Sequence, residues 1–373
     1  MMATPAADIG RDLAALDPEP LVTIIMPCLN EENHIVQALS SLVDDWVLQN
    51  GEVLIMDGGS TDRTRHAIAE FKEGLPFSER DKKTDGAVSN RFLKIFDNPN
   101  RLQVYGLNIG IKEARGDIIV RADAHCVYPP GYVKSCVDLL LLKEHEGIAN
   151  VGGVMDPVGF RPLQRAIALA MRNPLGVGNA LFHRGTKSGF VDTVYLGSFR
   201  KRLLNDIGLY DTDLPTNEDA ELNLRIIRAG KKIYLDHRLR VTYFPRETLK
   251  ALAHQYYSYG RGRATTSWKH RRVTSWRQII PPIFVLGLIA SLIGGFFEPL
   301  FFLFPAAYAL AILVISLFYR DDSHHDHPGL RIRILMAGAF VVMHISWGWG
   351  FFFRLLRLFF RRRKAASSPA PIG

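Results

Sequence analysis

Gly116-Asp117-Ile118-Ile119-Val120-Arg121-Ala122-Asp123-Ala124-His125 reads as a short buried strand, Ile118 to Val120, that runs out into two side chains able to bind metal. Asp123 and His125 are two apart, so in an extended segment they face the same side. In open α/β sheets, ligands collect beyond the carboxyl ends of the strands, where a carboxylate can hold a divalent ion against a phosphorylated molecule. Asp-x-His alone is a weak signal, and its weight rests on what flanks it.

Upstream, the same pattern occurs twice. Residues 21–26 (LVTIIM) form an apolar, β-branched run ending at Pro27, and Asn30-Glu31-Glu32-Asn33 opens a stretch with Ile35, Leu39 and Leu42 at helical spacing. Residues 52–57 (EVLIMD) repeat the strand and lead through Asp57-Gly58-Gly59-Ser60-Thr61-Asp62 into a helix reaching Phe71, with Ser60 or Thr61 as its expected cap. The charged insertion between Glu73 and Arg101 reads as loop or a short excursion, followed by a helix around Leu107 to Ala114. Three strands in sequence, each ending in a polar cluster, describe the mononucleotide-binding half of a doubly wound sheet. After the first strand, Pro27-Cys28-Leu29-Asn30-Glu31-Glu32 lacks the glycines of a dinucleotide loop, and G-x-x-x-x-G-K-[ST] is absent. Acidic groups with a metal are then the expected way to hold a diphosphate.

The 373 residues are 47% hydrophobic and carry a net charge of +9, both unevenly spread. Lys269, Arg271, Arg272 and Arg277 precede the apolar C-terminal segments, and Arg361, Arg362, Arg363 and Lys364 follow them, a placement that favours a lipid surface over nucleic acid. Cys28, Cys126 and Cys136 are too few and too scattered for a disulfide framework, in keeping with a reducing compartment. Residues 1–20 have no apolar h-region and read as a mobile tail. Segments 279–297 and 299–319 are each long enough to cross a bilayer and form a hairpin, with Arg277 and Arg320 on its cytoplasmic side. The third apolar segment, 334–353, is long enough to span but is followed by more arginines that also belong inside, so either it is re-entrant or interfacial, the reading favoured slightly, or its basic end is tolerated outside. The expected division is a tail (1–20), a catalytic domain (21–250), a basic interface segment (251–278), a membrane domain (279–364) and a second tail (365–373).

Further along, Thr216-Asn217-Glu218-Asp219-Ala220-Glu221-Leu222-Asn223 reads as a helix start capped by Thr216 or Asn217, with Glu218 and Asp219 in the first turn, where the helix dipole keeps a carboxylate ionised. Taken alone this is ordinary acidic capping. The run His324-His325-Asp326-His327 reads as a solvated loop rather than a metal site.

Together the blocks PCLNEE, DGGSTD, RADAH, LGSFRK, TNEDAELN and QYYSYGRGR resemble an inverting family 2 glycosyltransferase of the GT-A fold, with a particular likeness to the ExoA-type enzymes of bacterial exopolysaccharide (succinoglycan-like) assembly. The resemblance covers roughly residues 21–265 and implies an α/β, Rossmann-like nucleotide-sugar-binding domain followed by C-terminal transmembrane or interfacial helices. It implies a nucleotide-diphosphosugar donor, usually UDP-linked, a divalent metal (Mn2+ or Mg2+) and a lipid-linked saccharide acceptor. Membrane lipids and a polysaccharide-assembly complex are the expected partners, and nucleic acid is not. The expected location is a bacterial-type inner, cytoplasmic membrane with the catalytic domain in the cytoplasm. Matched block by block, it assigns donor binding to Pro27, Asn30, Glu31, Asp57, Asn108, Arg121 and Asp123, and the metal to Asp123 and His125. Asp219 becomes the general base with Glu218 beside it, and Gly197 (in a glycine-containing loop), Gln255, Arg261 and Arg263 meet acceptor and diphosphate. His237 stands where such folds often supply a late metal ligand. Two departures stand out. The usual Asp-x-Asp is Asp123-Ala124-His125, which removes a charge and shifts preference towards Mn2+, and no tryptophan follows Arg263. Transfer to a polyprenyl monophosphate, or a non-catalytic nucleotide-sugar-binding scaffold, are the alternatives.

Overall fold

The computed structural model describes residues 22–76, 92–178, 180–185, 187–271, 278–321 and 328–367, the last seven as backbone only. The two tails, most of the charged insertion, Arg272, Arg277, the His324–His327 run and the side chains of the terminal basic cluster lie outside that description.

In chain order, one-turn helices aside, the elements begin β1 (Val22–Cys28), α1 (Ile35–Leu42), α2 (Asp45–Asn50), β2 (Gly51–Asp57), α3 (Thr64–Glu73), β3 (Leu93–Asp97), α4 (Gln103–Glu113) and β4 (Ile118–Arg121). They continue with β5 (Cys126–Val127), α5 (Tyr132–Leu142), β6 (Ile148–Pro157), α6 (Pro162–Arg172), β7 (Gly189–Val191), β8 (Tyr195–Arg200), α7 (Lys201–Ile207) and α8 (Glu218–Arg228). The last are β9 (Lys232–Tyr243), α9 (Leu249–Lys269), α10 (Ile280–Gly294), α11 (Leu303–Phe318) and α12 (Leu330–Ser367). The chain divides into two compact units, Met1–Gly152 with Leu196–Leu209, and Gly153–Tyr195 with Tyr210–Gly373.

Unit 1 carries the strand order β3-β2-β1-β4-β8, the first four strands parallel and β8 antiparallel to β4. This is the 3-2-1-4 winding of a mononucleotide-binding half. β1 and β2 read as continuous apolar runs because both faces are covered, and Ile24, Ile25, Leu54 and Ile55 are fully buried. Register pairs Cys28 with Asp57, and Asp57 with Asp97, so the carboxyl ends of three strands finish level. β3 corrects the loop reading of 73–101. It is the edge strand of this order, and only Leu93 of its five residues is buried, so its sequence carries little of the apolar pattern that marks a strand.

In unit 2, β7 pairs antiparallel with β9. α6 and α9 pack against α12, which also contacts α10 and α11. Along α9, Leu252, Tyr256, Gly260, Gly262, Ala264 and Thr266 are buried, and Arg261 is exposed. Of the alternatives for 334–353, α12 removes the re-entrant one and leaves a spanning or an interfacial helix, because it runs unbroken for 38 residues, about 57 Å at helical rise. A turn back into the membrane would have needed a break in the backbone ladder, and the apolar run contains no proline to make one. Among the described residues two helices are long and apolar enough to cross a membrane, Pro299–Phe318 and Leu330–Phe360, whereas Ile280–Gly294 is shorter, at 15 residues.

Candidate active site

The carboxyl ends of β1, β2 and β4 carry three loops laced together by side chains from the motifs themselves. Asn30 sits in the left-handed region (φ 56°), which asparagine tolerates better than most residues. Its Oδ1 accepts from Thr61 N (2.8 Å), and its own N–H donates to Ser60 Oγ (2.9 Å). Glu31 N donates to Thr64 Oγ1 (2.8 Å), and Glu32 N to Asp62 Oδ2 (3.1 Å). The NEE loop is thus bonded to the DGGSTD loop along its whole length.

Asp57 is fully buried, and its carboxylate is engaged on both oxygens. Oδ1 accepts from Ser60 N (3.0 Å) and Ser60 Oγ (2.6 Å), and Oδ2 accepts from Arg65 Nε, whose guanidinium also reaches Asp97. Burial pushes the Asp57 carboxyl up, but the hydrogen bonds from Ser60 and Arg65 outweigh it and hold it below its ordinary value. Burial, with Asp57 next to it, pushes the Cys28 thiol up to about 12, which leaves that thiol protonated and inert. The expected helix caps fall elsewhere: Ser60 is spent on Asp57, and Asp62 Oδ1 meets Thr64 N (3.0 Å) at the start of α3.

Beyond β4, Asp123 is held from two sides. Gln103 Nε2, at the first position of α4, donates to its Oδ1 (3.1 Å), and Arg121 NH2 stands 3.5 Å from the same oxygen. Tyr128 closes on the backbone, its hydroxyl accepting from Asp123 N (2.6 Å) and donating to Asp123 O (2.9 Å). His125 Nδ1 lies 3.2 Å from Glu31 Oε1, and His34 Nδ1 lies 3.3 Å from the other oxygen of that carboxylate. The donor residues proposed from sequence therefore meet within unit 1: Asn30 and Glu31 on one loop, Asp57 on the next, Arg121, Asp123 and His125 on the third. Pro27 is the penultimate residue of β1, and half-buried Asn108 lies in the middle of α4. Sequence reasoning missed Arg65, Gln103 and Tyr128. Arg65 could have been found one helical turn past the DGGSTD loop, whereas Gln103 and Tyr128 carry no motif of their own.

Oxygen and imidazole-nitrogen donors two residues apart suit a borderline divalent ion. No group of three His, Cys, Asp or Glu side chains gathers for a metal among the described residues, so protein ligands at Asp123 and His125 would leave most of a coordination shell to other molecules. His237 belongs to unit 2, where its Nδ1 meets Ser188 Oγ at 2.8 Å.

Gly197 lies inside β8 rather than in a loop. A Cβ there would stand 2.5 Å from Asn150 Oδ1 and from the Phe199 ring, and Leu196 before it is held at φ 51°, with its carbonyl accepting from Tyr132 Oη (3.2 Å). The strand is kinked at this point, and only a residue without a side chain fits.

In unit 2, Glu218 and Asp219 open α8, Glu218 buried and Asp219 half-buried. Thr216 and Asn217 do not cap the helix with their side chains. Thr216 Oγ1 donates to Ser258 O (2.9 Å) and Asn217 Nδ2 to Tyr259 O (2.8 Å), both on α9. On α9 itself, Gln255 Nε2 donates to Tyr243 Oη and Tyr259 Oη (both 2.9 Å), Arg261 is exposed beside the Tyr257 ring, and burial pulls the half-buried Arg263 below its ordinary range, with Asp192 opposing.

The Glycosyl transferase family 2 profile matches residues 23–208. Over 348 residues, 92% of this chain and 96% of the relative, the sequence is 32% identical to the succinoglycan biosynthesis protein ExoA of Rhizobium meliloti (strain 1021). The chain belongs to glycosyl transferase family 2. A second relative, 29% identical over 79% of this chain and 86% of its own, is the dolichyl N-acetyl-alpha-D-glucosaminyl phosphate 3-beta-D-2,3-diacetamido-2,3-dideoxy-beta-D-glucuronosyltransferase of Methanococcus voltae. Among solved structures, the mannosyltransferase PcManGT from Pyrobaculum calidifontis, in complex with GDP-Man and Mn2+, superposes with a TM-score of 0.54 at 17% identity, covering 91% of this chain and 88% of that one. The last likeness is one of fold. This family 2 glycosyltransferase has the GT-A architecture with apolar C-terminal helices, and it is related to transferases of exopolysaccharide and lipid-linked sugar assembly.

Proposed function

We propose that this glycosyltransferase is membrane-anchored and metal-dependent, and that it moves a sugar with inversion from a nucleotide-diphosphate donor, a UDP-sugar in the first instance, to a polyprenyl-diphosphate-linked saccharide in exopolysaccharide assembly. The observation that carries the reading is the length of the match to the succinoglycan biosynthesis protein, which leaves too few residues outside it to omit both apolar helices α10 and α11. The match therefore takes in the motif-bearing region and at least part of the apolar C-terminal region, which supports the reading of a membrane-anchored transferase.

In this reading the loops bearing Asn30, Glu31 and Asp123 hold the donor, with Pro27, Asn108 and Arg121 behind them. Asp57 acts by ordering those loops, since both its oxygens are engaged there. Asp123 and His125 would hold the divalent ion, which when bound supplies Lewis-acid stabilisation for the charge on the diphosphate. Asp219 takes the proton from the acceptor hydroxyl as that oxygen bonds to the anomeric carbon from the face opposite the leaving diphosphate; the carbon–diphosphate bond breaks, and the pair of electrons leaves with the nucleotide. One base suffices for inversion, and no carboxylic acid is required on the leaving side, unlike glycoside hydrolysis. Glu218, Gly197, Gln255, Arg261 and Arg263 serve acceptor and diphosphate. A cytoplasmic-membrane location with the catalytic units in the cytoplasm follows from where nucleotide sugars are made and from the basic residues flanking the hairpin.

The test is a panel of UDP-, GDP- and dTDP-sugars offered to the full chain in detergent with Mn2+ or Mg2+ and a bacterial lipid extract. Lipid-soluble product from one donor, abolished by a chelator, is expected. Turnover onto polyprenyl monophosphate alone would replace the acceptor assignment, and binding of nucleotide sugar without turnover of any would leave a scaffold.

A further inference from the structure

The residue before the Glu218–Asp219 turn, Asn217, is held at φ 62°, a conformation that costs a non-glycine residue energy and persists only where its surroundings impose it. Those surroundings are α9. The Asn217 amide donates to Tyr259 O (2.8 Å), the Thr216 hydroxyl to Ser258 O (2.9 Å), and between them Gly262 offers no side chain at all. A Cβ on Gly262 would stand 2.5 Å from Thr216 O and 2.6 Å from Asn217 Nδ2. At the far end of α9, His270 Nε2 meets Glu221 Oε1 (2.9 Å), and Glu221, itself buried, pairs with Arg225 on the same face of α8. The acidic turn is therefore fixed to α9 at both ends of the first helical turn of α8.

The opposite face of α9 is set in the same way against the long apolar helix. A Cβ on Gly260 would meet Trp347 O at 2.0 Å, and one on Gly350 of α12 would meet Tyr257 O at 2.1 Å. Glycines 260 and 262 are two apart, about 200° around a helix, so one presses α12 and the other presses the acidic turn.

We infer that Asn217 and Gly262 are positioning residues for Asp219, and that α9 is a brace that transmits the placement of the apolar helix α12 to the acidic turn. The inference rests on Asp219 being the general base. A base displaced by about 1 Å costs on the order of a hundredfold in rate, while the loops bearing Asn30, Glu31 and Asp123 lie on other elements and keep their hold on the donor.

The experiment compares Asn217→Gly, which keeps the backbone conformation but loses the amide, with Gly262→Ala and the milder Thr216→Val, all as full-length protein in detergent, with Asp219→Asn alongside. Two readouts are taken: kcat and donor KM with the nucleotide sugar that wild type turns over on lipid extract, and the rate at which a water-soluble carbodiimide modifies Asp219, followed by peptide mass spectrometry. The expected result is a tenfold or greater fall in kcat for Asn217→Gly and Gly262→Ala, donor KM within twofold of wild type for Asn217→Gly, and a severalfold change in Asp219 modification. Thr216→Val keeps the proposal testable if Gly262→Ala does not fold, with the same pattern at smaller size. Wild-type kcat and wild-type Asp219 reactivity in folded Asn217→Gly and Thr216→Val would overturn the brace. Undiminished transfer by Asp219→Asn would instead overturn the assignment of the base, with the modification data still reporting whether α9 holds the turn.

Discussion

The loops at the carboxyl ends of β1, β2 and β4 and the acidic turn of α8 are both carboxylate-bearing segments held in fixed conformations, and they are held by opposite means. The loops are tied by polar side chains of their own motifs, Asn30 to Thr61, Asp57 to Ser60 and Arg65, Asp62 to Thr64, Tyr128 to Asp123. The turn is bonded to α9 through Thr216 and Asn217 and is seated by side chains that are missing, Gly262 beneath it and Gly260 on the other face of the same helix. A polar lattice tolerates crowding and fails when a donor is removed, whereas a close-packed seat fails also when atoms are added.

The largest effect is expected where the chemistry, not the support, is removed. Asp219→Asn preserves shape and burial, so the protein should melt within a few degrees of wild type, yet kcat should fall about a thousandfold, within the range for losing a general base. Nucleotide-sugar affinity, read by equilibrium binding, should stay unchanged. A loss of binding instead would assign Asp219 to the donor side.

Adding atoms to the seat comes next. Gly260→Val places a branched side chain against the Trp347 carbonyl, where even a Cβ has no room. We expect a loss of about 3 kcal/mol in stability, seen as a drop in the thermal midpoint in detergent and as early proteolysis of α9. The equivalent addition on the loop side, Gly59→Ala, meets open space and costs only its positive φ of 79°, about 1 kcal/mol.

The two modes of support also decide what could be read in the sequence. The parallel core was legible because β1 and β2 are unbroken apolar runs, and the donor-side residues were legible because the groups that bind are also the groups that hydrogen-bond the loops together. β3 was not, since an edge strand buries only one face and its sequence carries Lys94 and Asp97 among the apolar residues. The Thr216 and Asn217 side chains were expected to cap their own helix, as their spacing to Glu218 invites; their partners lie some forty positions later on α9, and local sequence holds no trace of a contact formed in the tertiary fold. Gly197, Gly260 and Gly262 were visible as glycines only. Whether a glycine marks a loop or a close crossing depends on what packs against it. The unbroken α12 was obscured by its basic flanks, which argue about sides of a membrane and say nothing about backbone continuity.

Removing one hydroxyl from the polar lattice should have a smaller effect. Tyr128→Phe leaves Asp123 N–H and C=O without the hydroxyl that serves both, and the ring can keep its place against Tyr132, 5.1 Å away between centroids. About 1 kcal/mol of stability should go. Donor KM should rise severalfold with kcat changing less, because the residue acts on the donor loop and not on the base. Equal falls in kcat and kcat/KM would place Tyr128 in the chemical step.

The smallest expected effect is the acid response of the lattice, and it separates the two modes by sign. Asp57 in the folded chain sits below its ordinary value of 3.8, because the bonds from Ser60 and Arg65 outweigh the burial that opposes them. A carboxyl with a depressed folded pKa adds stability that is complete above the unfolded value and is lost as pH falls through the folded one. Between neutral pH and about pH 5 this group therefore contributes a constant amount, and below 3.8 the contribution declines until Asp57 is protonated in both states. Asp57→Asn, which cannot titrate, should start less stable at neutral pH and show a shallower decline in acid, so the two unfolding curves converge as pH drops. Gly260→Val should run parallel to wild type throughout, since a steric seat has no proton to gain. Curves for Asp57→Asn that stay parallel to wild type down to pH 3 would show that the loops, too, are held by packing, and the contrast between the two regions would fall.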